Sequence, residues 1–172
     1  MKKLLIISFV LLMITVKAIS QKEEKPVPSI VAGGELVLLA NGAGAYTTIL
    51  FPVSRAISVA GNISYDFFFK NYNNMKKANF SGGIRLGVPN DVYTQVTAGY
   101  SLVSSPPNYY YPPTNTKSTF GSTSFTLDAG IQLENNIELG GQLFYSNYKN
   151  GVGDYLLIKA RIAYVFRLKK HK

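Results

Sequence analysis

The sequence predicts an all-β fold, an eight-stranded antiparallel up-and-down barrel that crosses a membrane with its strands. Three observations lead to this fold class. Apolar and polar residues alternate along most of the chain, as they do in half-buried strands. Clusters of Gly, Pro, Asn and Asp interrupt the alternation at intervals, as turns do. One face of the strands is bulky and apolar, while the other consists mainly of small polar residues.

Residues 1–20 are typical of a secretory signal peptide. Lys2 and Lys3 precede an apolar run of about 13 residues, which is shorter than the roughly 20 residues of a membrane-spanning helix. Ala18 and Ser20 are small residues that suit a signal-peptidase site. The sequence therefore predicts export, with cleavage directly after Ser20.

A short periplasmic linker (residues 21–30), the barrel (31–168) and a basic tail (169–172) follow the signal peptide. The alternation assigns eight strands, to residues 31–40, 44–52, 56–70, 78–88, 92–103, 119–133, 137–148 and 154–168. Short turns alternate along the chain with connections that are mostly longer, and 104–118 is the longest. Tight periplasmic turns and longer outer loops are typical of transmembrane barrels. Because the number of strands is even, both chain ends should lie on the same side.

The size of the side chains on each face distinguishes a membrane barrel from a soluble one. In strand 119–133 the apolar face carries Phe125, Leu127, Ala129, Ile131 and Leu133. The opposite face carries Ser122, Ser124, Thr126, Asp128, Gly130 and Gln132. Small polar residues suit the narrow interior of an eight-stranded barrel, and bulky apolar residues suit lipid. Over residues 31–52 the alternation is less regular, which leaves their facing open.

Charged residues on the small-residue face are the first candidate site. The acidic members are Glu35, Asp66, Asp128 and Glu138, and the basic members are Arg85, Lys159 and Arg161. Unpaired charges inside a filled barrel cost free energy, so we expect these residues to pair there. The alternative is a set of unrelated, solvated charges on a soluble protein.

The longest loop contains the second candidate site. Prolines flank Tyr109, Tyr110 and Tyr111 on both sides. An aromatic surface contact is one interpretation of this segment, and an exposed, variable loop tip is the other.

These features resemble the small outer-membrane barrel family that includes the OmpX-like and OmpA-like barrels. The resemblance covers about residues 31–168. It depends on the tight turns, on Gly-rich strands such as 80–87, and on the alternating last strand, residues 155–166. That strand is similar to the family's C-terminal assembly signal, although six residues follow Phe166 here. The resemblance implies an outer-membrane location, contact with outer-membrane lipid, and assembly by the barrel-assembly machinery.

The composition points away from catalysis. There is no cysteine, which excludes thiol chemistry and a Cys-based metal site, and the one histidine, His171, lies in the basic tail. No phosphate loop or zinc-ligand spacing occurs. The formal net charge is +9, but the basic residues are mostly scattered, so we expect no nucleic-acid partner. We expect neither a cofactor nor a metal ion.

The sequence thus predicts a non-enzymatic outer-membrane protein with an envelope-structural role, or with a surface-interaction role through its extracellular loops. Two alternatives remain open. One is a small, porin-like channel or transport component. The other is a soluble periplasmic barrel, similar to a lipocalin, that binds an apolar ligand.

Overall fold

A computed structural model describes residues 27–38, 40–69, 75–105, 118–148 and 153–168. It contains eight strands, β1 (Ser29–Val37), β2 (Gly42–Pro52), β3 (Ile57–Phe68), β4 (Lys76–Gly87), β5 (Val92–Ser105), β6 (Ser118–Gln132), β7 (Ile137–Tyr148) and β8 (Gly153–Arg167). They run from 9 residues in β1 to 15 in β6 and β8, and about 9–11 residues suffice to cross a bilayer at a tilt. Within the described ranges, no helix has the length and apolar character needed to span a membrane.

The strands close into a barrel in the order in which they occur along the chain. Each strand pairs antiparallel with the next, and β1 pairs antiparallel with β8. In this closing seam Ser29 lies opposite Arg167, and Val37 lies opposite Lys159. The prediction of an eight-stranded antiparallel up-and-down barrel is therefore confirmed.

The start of the barrel differs from its predicted bounds. β1 begins at Ser29, so the last two residues assigned to the linker are already paired with both neighbouring strands. It ends at Val37, and the chain turns at Asn41, which has a φ of 42°. Gly42, assigned to a connection by the sequence, begins β2. Outside the described residues lie the predicted signal peptide 1–20, linker residues 21–26 and the tail 169–172.

The connections divide between the two ends of the barrel. The terminal end, where β1 begins and β8 ends, carries the turns 53–56, 88–91 and 133–136. The loop end carries the connections 38–41, 69–75, 106–117 and 149–152. Two of these four connections, 69–75 and 106–117, are longer than the turns at the terminal end. The sequence predicted that most of the four would be longer, but 38–41 and 149–152 are as short as those turns.

The polarity of the barrel is the reverse of that of a soluble protein. Large apolar side chains point outward on every strand and are exposed, for example Leu36, Ile49, Ile63, Ile84, Val96, Phe125, Leu143 and Ile162. Within the described ranges, buried polar and charged residues outnumber buried apolar ones. A closed barrel with an apolar outer surface satisfies its backbone hydrogen bonds internally, as a membrane requires.

Candidate functional site: the barrel interior

A chain of ion pairs connects five strands across the barrel interior. Lys77 on β4 pairs with Asp66 on β3, at 2.7 Å between Nζ and Oδ2. Lys159 on β8 donates to Asp66 at 2.8 and 3.0 Å and to Glu35 on β1 at 2.6 Å. Because Lys159 reaches two carboxylates, it joins strands β1, β3 and β8.

The chain continues from Glu35 through Arg161 to Asp128 on β6. The Nε atom of Arg161 lies 3.2 Å from Oε2 of Glu35, and its Nη1 donates to Asp128. Asp128 also accepts a hydrogen bond of 2.8 Å from Nε2 of Gln142 on β7. The signs of the charges alternate along the whole series, which runs Lys77, Asp66, Lys159, Glu35, Arg161, Asp128.

A separate ion pair lies nearer the terminal end of the barrel. Nη2 of Arg85 on β4 is 2.6 Å from Oε2 of Glu138 on β7. The guanidinium of Arg85 also stacks on the ring of Tyr93, 3.6 Å from its centroid. Gly130 and Gly140 leave room for that ring, since a Cβ atom at either position would come within 2.7 Å of the Tyr93 hydroxyl.

Aromatic rings also contact two cations of the longer series of ion pairs. The Lys77 ammonium lies 3.4 Å from the centroid of Phe144, and the Arg161 guanidinium lies 3.3 Å from the centroid of Tyr46. Cation–π contacts gain strength when they are desolvated, as they are here. Each ring therefore adds a stabilising contact to a buried cation that is also paired with a carboxylate.

The structure links five of the seven predicted interior charges to Lys77 in one chain of ion pairs, and it brings the other two together in the separate pair. All seven lie inside the barrel and are buried: Glu35, Asp66, Arg85, Asp128, Glu138, Lys159 and Arg161. Arg85 and Glu138 form their own pair, and no ion pair between described residues links them to the other five. Sequence reasoning missed Lys77, which it assigned to a loop. With Lys77 included, the buried charges among the described residues are four carboxylates and four cations.

Hydroxyl and amide groups fill another part of the interior. The hydroxyls of Thr97 and Thr126 are 2.6 Å apart, and Thr97 also donates to Ser81 at 3.0 Å. Ser124 donates to the Asn79 side chain at 2.6 Å. These groups satisfy one another across β4, β5 and β6, as buried polar groups must.

Two groups of apolar residues lie nearer the barrel ends. The loop-end layer consists of Val37, Ala40, Phe68, Met75, Val103, Phe144 and Leu157, with Phe120 packed against it. The terminal-end cluster consists of Val31, Tyr46, Leu50, Ala60, Ala163 and Val165. Neither group was predicted as a cluster, because the sequence interpretation assigned mainly small and charged residues to the interior face.

The remaining candidates are not tested by the geometry. Tyr109, Tyr110 and Tyr111, and also His171, lie outside the described residues. Within the described ranges, no three His, Cys, Asp or Glu side chains are grouped so that they could hold a metal ion.

Known proteins match this chain in structure but not in sequence. No protein family matches the chain, and no curated protein matches it. The N-terminal β-barrel domain of Pseudomonas aeruginosa OprF is similar, with a TM-score of 0.62 at 12% identity, over 84% of this chain and 100% of that one. The fold is that of a transmembrane β-barrel.

Ail, the attachment invasion locus protein of Yersinia pestis, has the same fold. Its crystal structure in complex with the heparin analogue sucrose octasulfate gives a TM-score of 0.59 at 12% identity, over 83% of this chain and 100% of that one. Its backbone structure in a phospholipid bilayer nanodisc gives 0.55 at 12% identity, with the same coverage. The predicted resemblance to small outer-membrane barrels is thus confirmed for the fold.

Proposed function

We propose that this barrel lies in the outer membrane and has a non-enzymatic role, in envelope structure or in surface contacts made at its loop end. On this proposal it is exported behind a signal peptide and inserted by the barrel-assembly machinery. The observation that carries the proposal is the interior, in which each of the eight buried charged side chains that the structure describes is paired with an opposite charge. Charges committed to each other in this way are not available to a solute or a substrate.

The same observation argues against the channel alternative. An eight-stranded barrel is only wide enough for side chains to fill it. Here the side chains of Lys159, Glu35 and Asp66 have no exposed surface at all. We therefore expect purified protein in planar bilayers to give no stable single-channel steps. Stable steps from the wild-type protein would favour a channel instead.

The charges of the loop-end connections favour an anionic surface partner. The connections 38–41, 69–75, 106–117 and 149–152 contain three lysines, Lys70, Lys117 and Lys149, and no Asp or Glu. Lys117 also shares its connection with the three consecutive tyrosines. Excess positive charge concentrates anions near a surface, and its effect declines with ionic strength.

Binding of heparin, a soluble polyanion, tests this part of the proposal. Replacing Lys70, Lys117 and Lys149 together by Gln should weaken the binding of heparin to the protein in detergent micelles. A matched control replaces three lysines of the C-terminal tail, Lys169, Lys170 and Lys172, by Gln. The control changes the net charge equally and should retain binding. Equal loss in both variants, or no heparin binding by the wild type, would contradict an anionic partner at the loop end.

A further inference from the structure

The outward face of the barrel carries a charge at its loop end. Lys76, the first residue of β4, points outward and is exposed, whereas the next residue, Lys77, points inward. Among the strand residues whose side chains the structure describes, Lys76 is the only charged residue with outward parity. The other charged residues of this set all have inward parity: Glu35, Asp66, Lys77, Arg85, Asp128, Glu138, Lys159, Arg161 and Arg167. The interior network therefore does not account for Lys76.

The neighbours of Lys76 on the outward face leave its ammonium without an anion. Phe67 on β3 lies directly opposite Lys76, and Ser104 lies opposite it on β5. The Lys76 ammonium is 5.8 Å from the centroid of the Phe67 ring, near the outer limit of a cation–π contact. It forms no ion pair with any residue in the described part of the chain. The ammonium can therefore pair with an anion from outside the chain.

A shallow hollow lies between Lys76 and the membrane centre. Its floor is Ala78, the next outward residue of β4, which lies opposite Tyr65 on β3 and Leu102 on β5. Phe80, the following outward residue of β4, closes the hollow toward the membrane centre. The three large side chains are all exposed. Because side chains directly opposite in neighbouring strands lie only about 5 Å apart, the small Ala78 leaves a gap between two large walls.

The position of Lys76 fits the boundary between hydrocarbon and lipid headgroups. Tyrosine and phenylalanine favour that boundary, and four of their exposed rings lie on the loop-end half of the outward face: Tyr65, Phe67, Tyr100 and Tyr145. A lysine at this level lays its apolar stem along such rings and keeps its ammonium among the headgroups. Lys76 and the hollow thus face the same lipid.

We propose that Lys76 and the hollow at Ala78 bind one membrane lipid whose phosphate headgroup has a net negative charge. The Lys76 ammonium pairs with the phosphate, and an acyl chain lies over Ala78 between Tyr65 and Leu102. A zwitterionic headgroup binds less well, because its own cation competes for the phosphate. The site lies on the lipid-facing surface and not in the loop connections, so it goes beyond the proposed function, and its test does not depend on heparin binding.

Quenching of a single tryptophan by brominated lipid tests this site, because the chain contains no native tryptophan. Leu102→Trp places the reporter on a wall of the hollow. Leu36→Trp is the matched reporter, at an exposed outward position near the loop end of β1, on the opposite side of the barrel. Each protein is folded in phosphatidylcholine vesicles that contain either brominated phosphatidylglycerol or brominated phosphatidylcholine. The ratio of the two quenching efficiencies measures the preference for anionic lipid at each reporter.

The reporter at position 102 should prefer phosphatidylglycerol about fivefold, since one basic residue at a membrane surface contributes about 1 kcal/mol. The reporter at position 36 should show no preference. Lys76→Gln should abolish the preference at position 102, and Lys76→Arg should retain it. Lys170→Gln, which removes a lysine from the C-terminal tail, should leave it unchanged. All these variants keep the interior ion pairs, because positions 36, 76 and 102 face outward and position 170 lies in the tail.

An equal preference at positions 102 and 36 would overturn the proposal, and so would a preference that survives Lys76→Gln. Lys76 would then be a solvated side chain at the membrane surface and nothing more. Loss of the preference when inorganic phosphate is added in excess, at constant ionic strength, would overturn a lipid as the ligand and indicate a site for soluble anions.

Discussion

Replacing Lys159 by Met should destabilise the barrel more than the matched loss of Lys77 from the same chain of ion pairs. Met keeps most of the length of the Lys side chain and removes its charge. Lys159 is the residue that joins Glu35 to Asp66, through three hydrogen bonds. Breaking a buried ion pair by removing one partner costs about 3–5 kcal/mol. Since Glu35 keeps Arg161 and Asp66 keeps Lys77, we expect a loss at the lower end, about 3 kcal/mol.

Lys77→Met is the matched control for this prediction. Lys77 is as deeply buried as Lys159 but pairs with only one carboxylate, Asp66, which keeps both hydrogen bonds from Lys159. Its loss should cost less than that of Lys159, about 1.5 kcal/mol, which is the lower end of the range for one polar contact with a charged group. Adding Glu35→Gln to Lys159→Met restores a neutral interior. The double variant should therefore lose less than the sum of the two single losses, by about 1 kcal/mol.

Urea titration in lipid vesicles measures these differences. The folded fraction can be read from heat-modifiable gel mobility, because the chain contains no tryptophan for fluorescence. Lys159→Met within about 1 kcal/mol of the wild type would refute the reasoning, since mutations that break buried charge pairs cost more than that. Strict additivity of Lys159→Met and Glu35→Gln, to within about 0.5 kcal/mol, would also refute it.

Three other predictions follow from the sequence and the interior. The signal peptide should be removed after Ser20, so intact-mass analysis of protein from membranes should show the loss of residues 1–20, and a mature species that starts at Met1 would contradict this. An epitope inserted near Asn115 in the longest connection should be labelled on intact cells without loss of folding; labelling only after permeabilisation would invert the topology. Arg85→Met should cost about 3–5 kcal/mol because it strands Glu138, and Glu138→Gln in the same chain should recover part of that loss, which urea titration of the single and double variants can check.

The fold could be predicted from the sequence because alternation and side-chain size together indicate which residues of a strand face lipid and which face the interior. In β6, residues predicted to face lipid, such as Phe125 and Ile131, are exposed, and Ser124 and Asp128 are buried. The facing of residues 31–52 could not be predicted because both of their faces are mixed. Val31, Val37 and Leu50 point inward, whereas small residues such as Ala45 point outward.

The interior was only partly predictable, because its charges were assigned strand by strand. Lys77 was missed since β4 was thought to begin at residue 78, although extending the alternation from Asn79 by one step places it inward. Phe144 follows the same parity as Gln142 and Ser146, but a bulky apolar ring does not match the small polar pattern of that face, so the sequence left it unassigned. Which charges pair with each other depends on barrel closure, and the pattern of a single strand does not reveal it. Lys159 and Glu35, for example, are 124 residues apart in the sequence.

The central claim is that the outward face of this barrel contacts lipid, and folding yield with and without vesicles tests it most directly. Leu127 and Leu143 lie opposite each other near the middle of β6 and β7 and point outward. Arg at such a position costs roughly 2–4 kcal/mol near the membrane midplane, a large part of a stability of about 5–15 kcal/mol. Glu134→Arg is the matched control, since it places the same residue in an exposed turn.

We predict that the wild type and Glu134→Arg fold only when vesicles are present, and that Leu127→Arg and Leu143→Arg fold there with sharply reduced yield. Heat-modifiable gel mobility measures all four proteins under both conditions. Folding of the wild type in buffer alone would contradict the membrane assignment, as a soluble barrel needs no lipid. Leu127→Arg folding as well as Glu134→Arg in vesicles would contradict it equally.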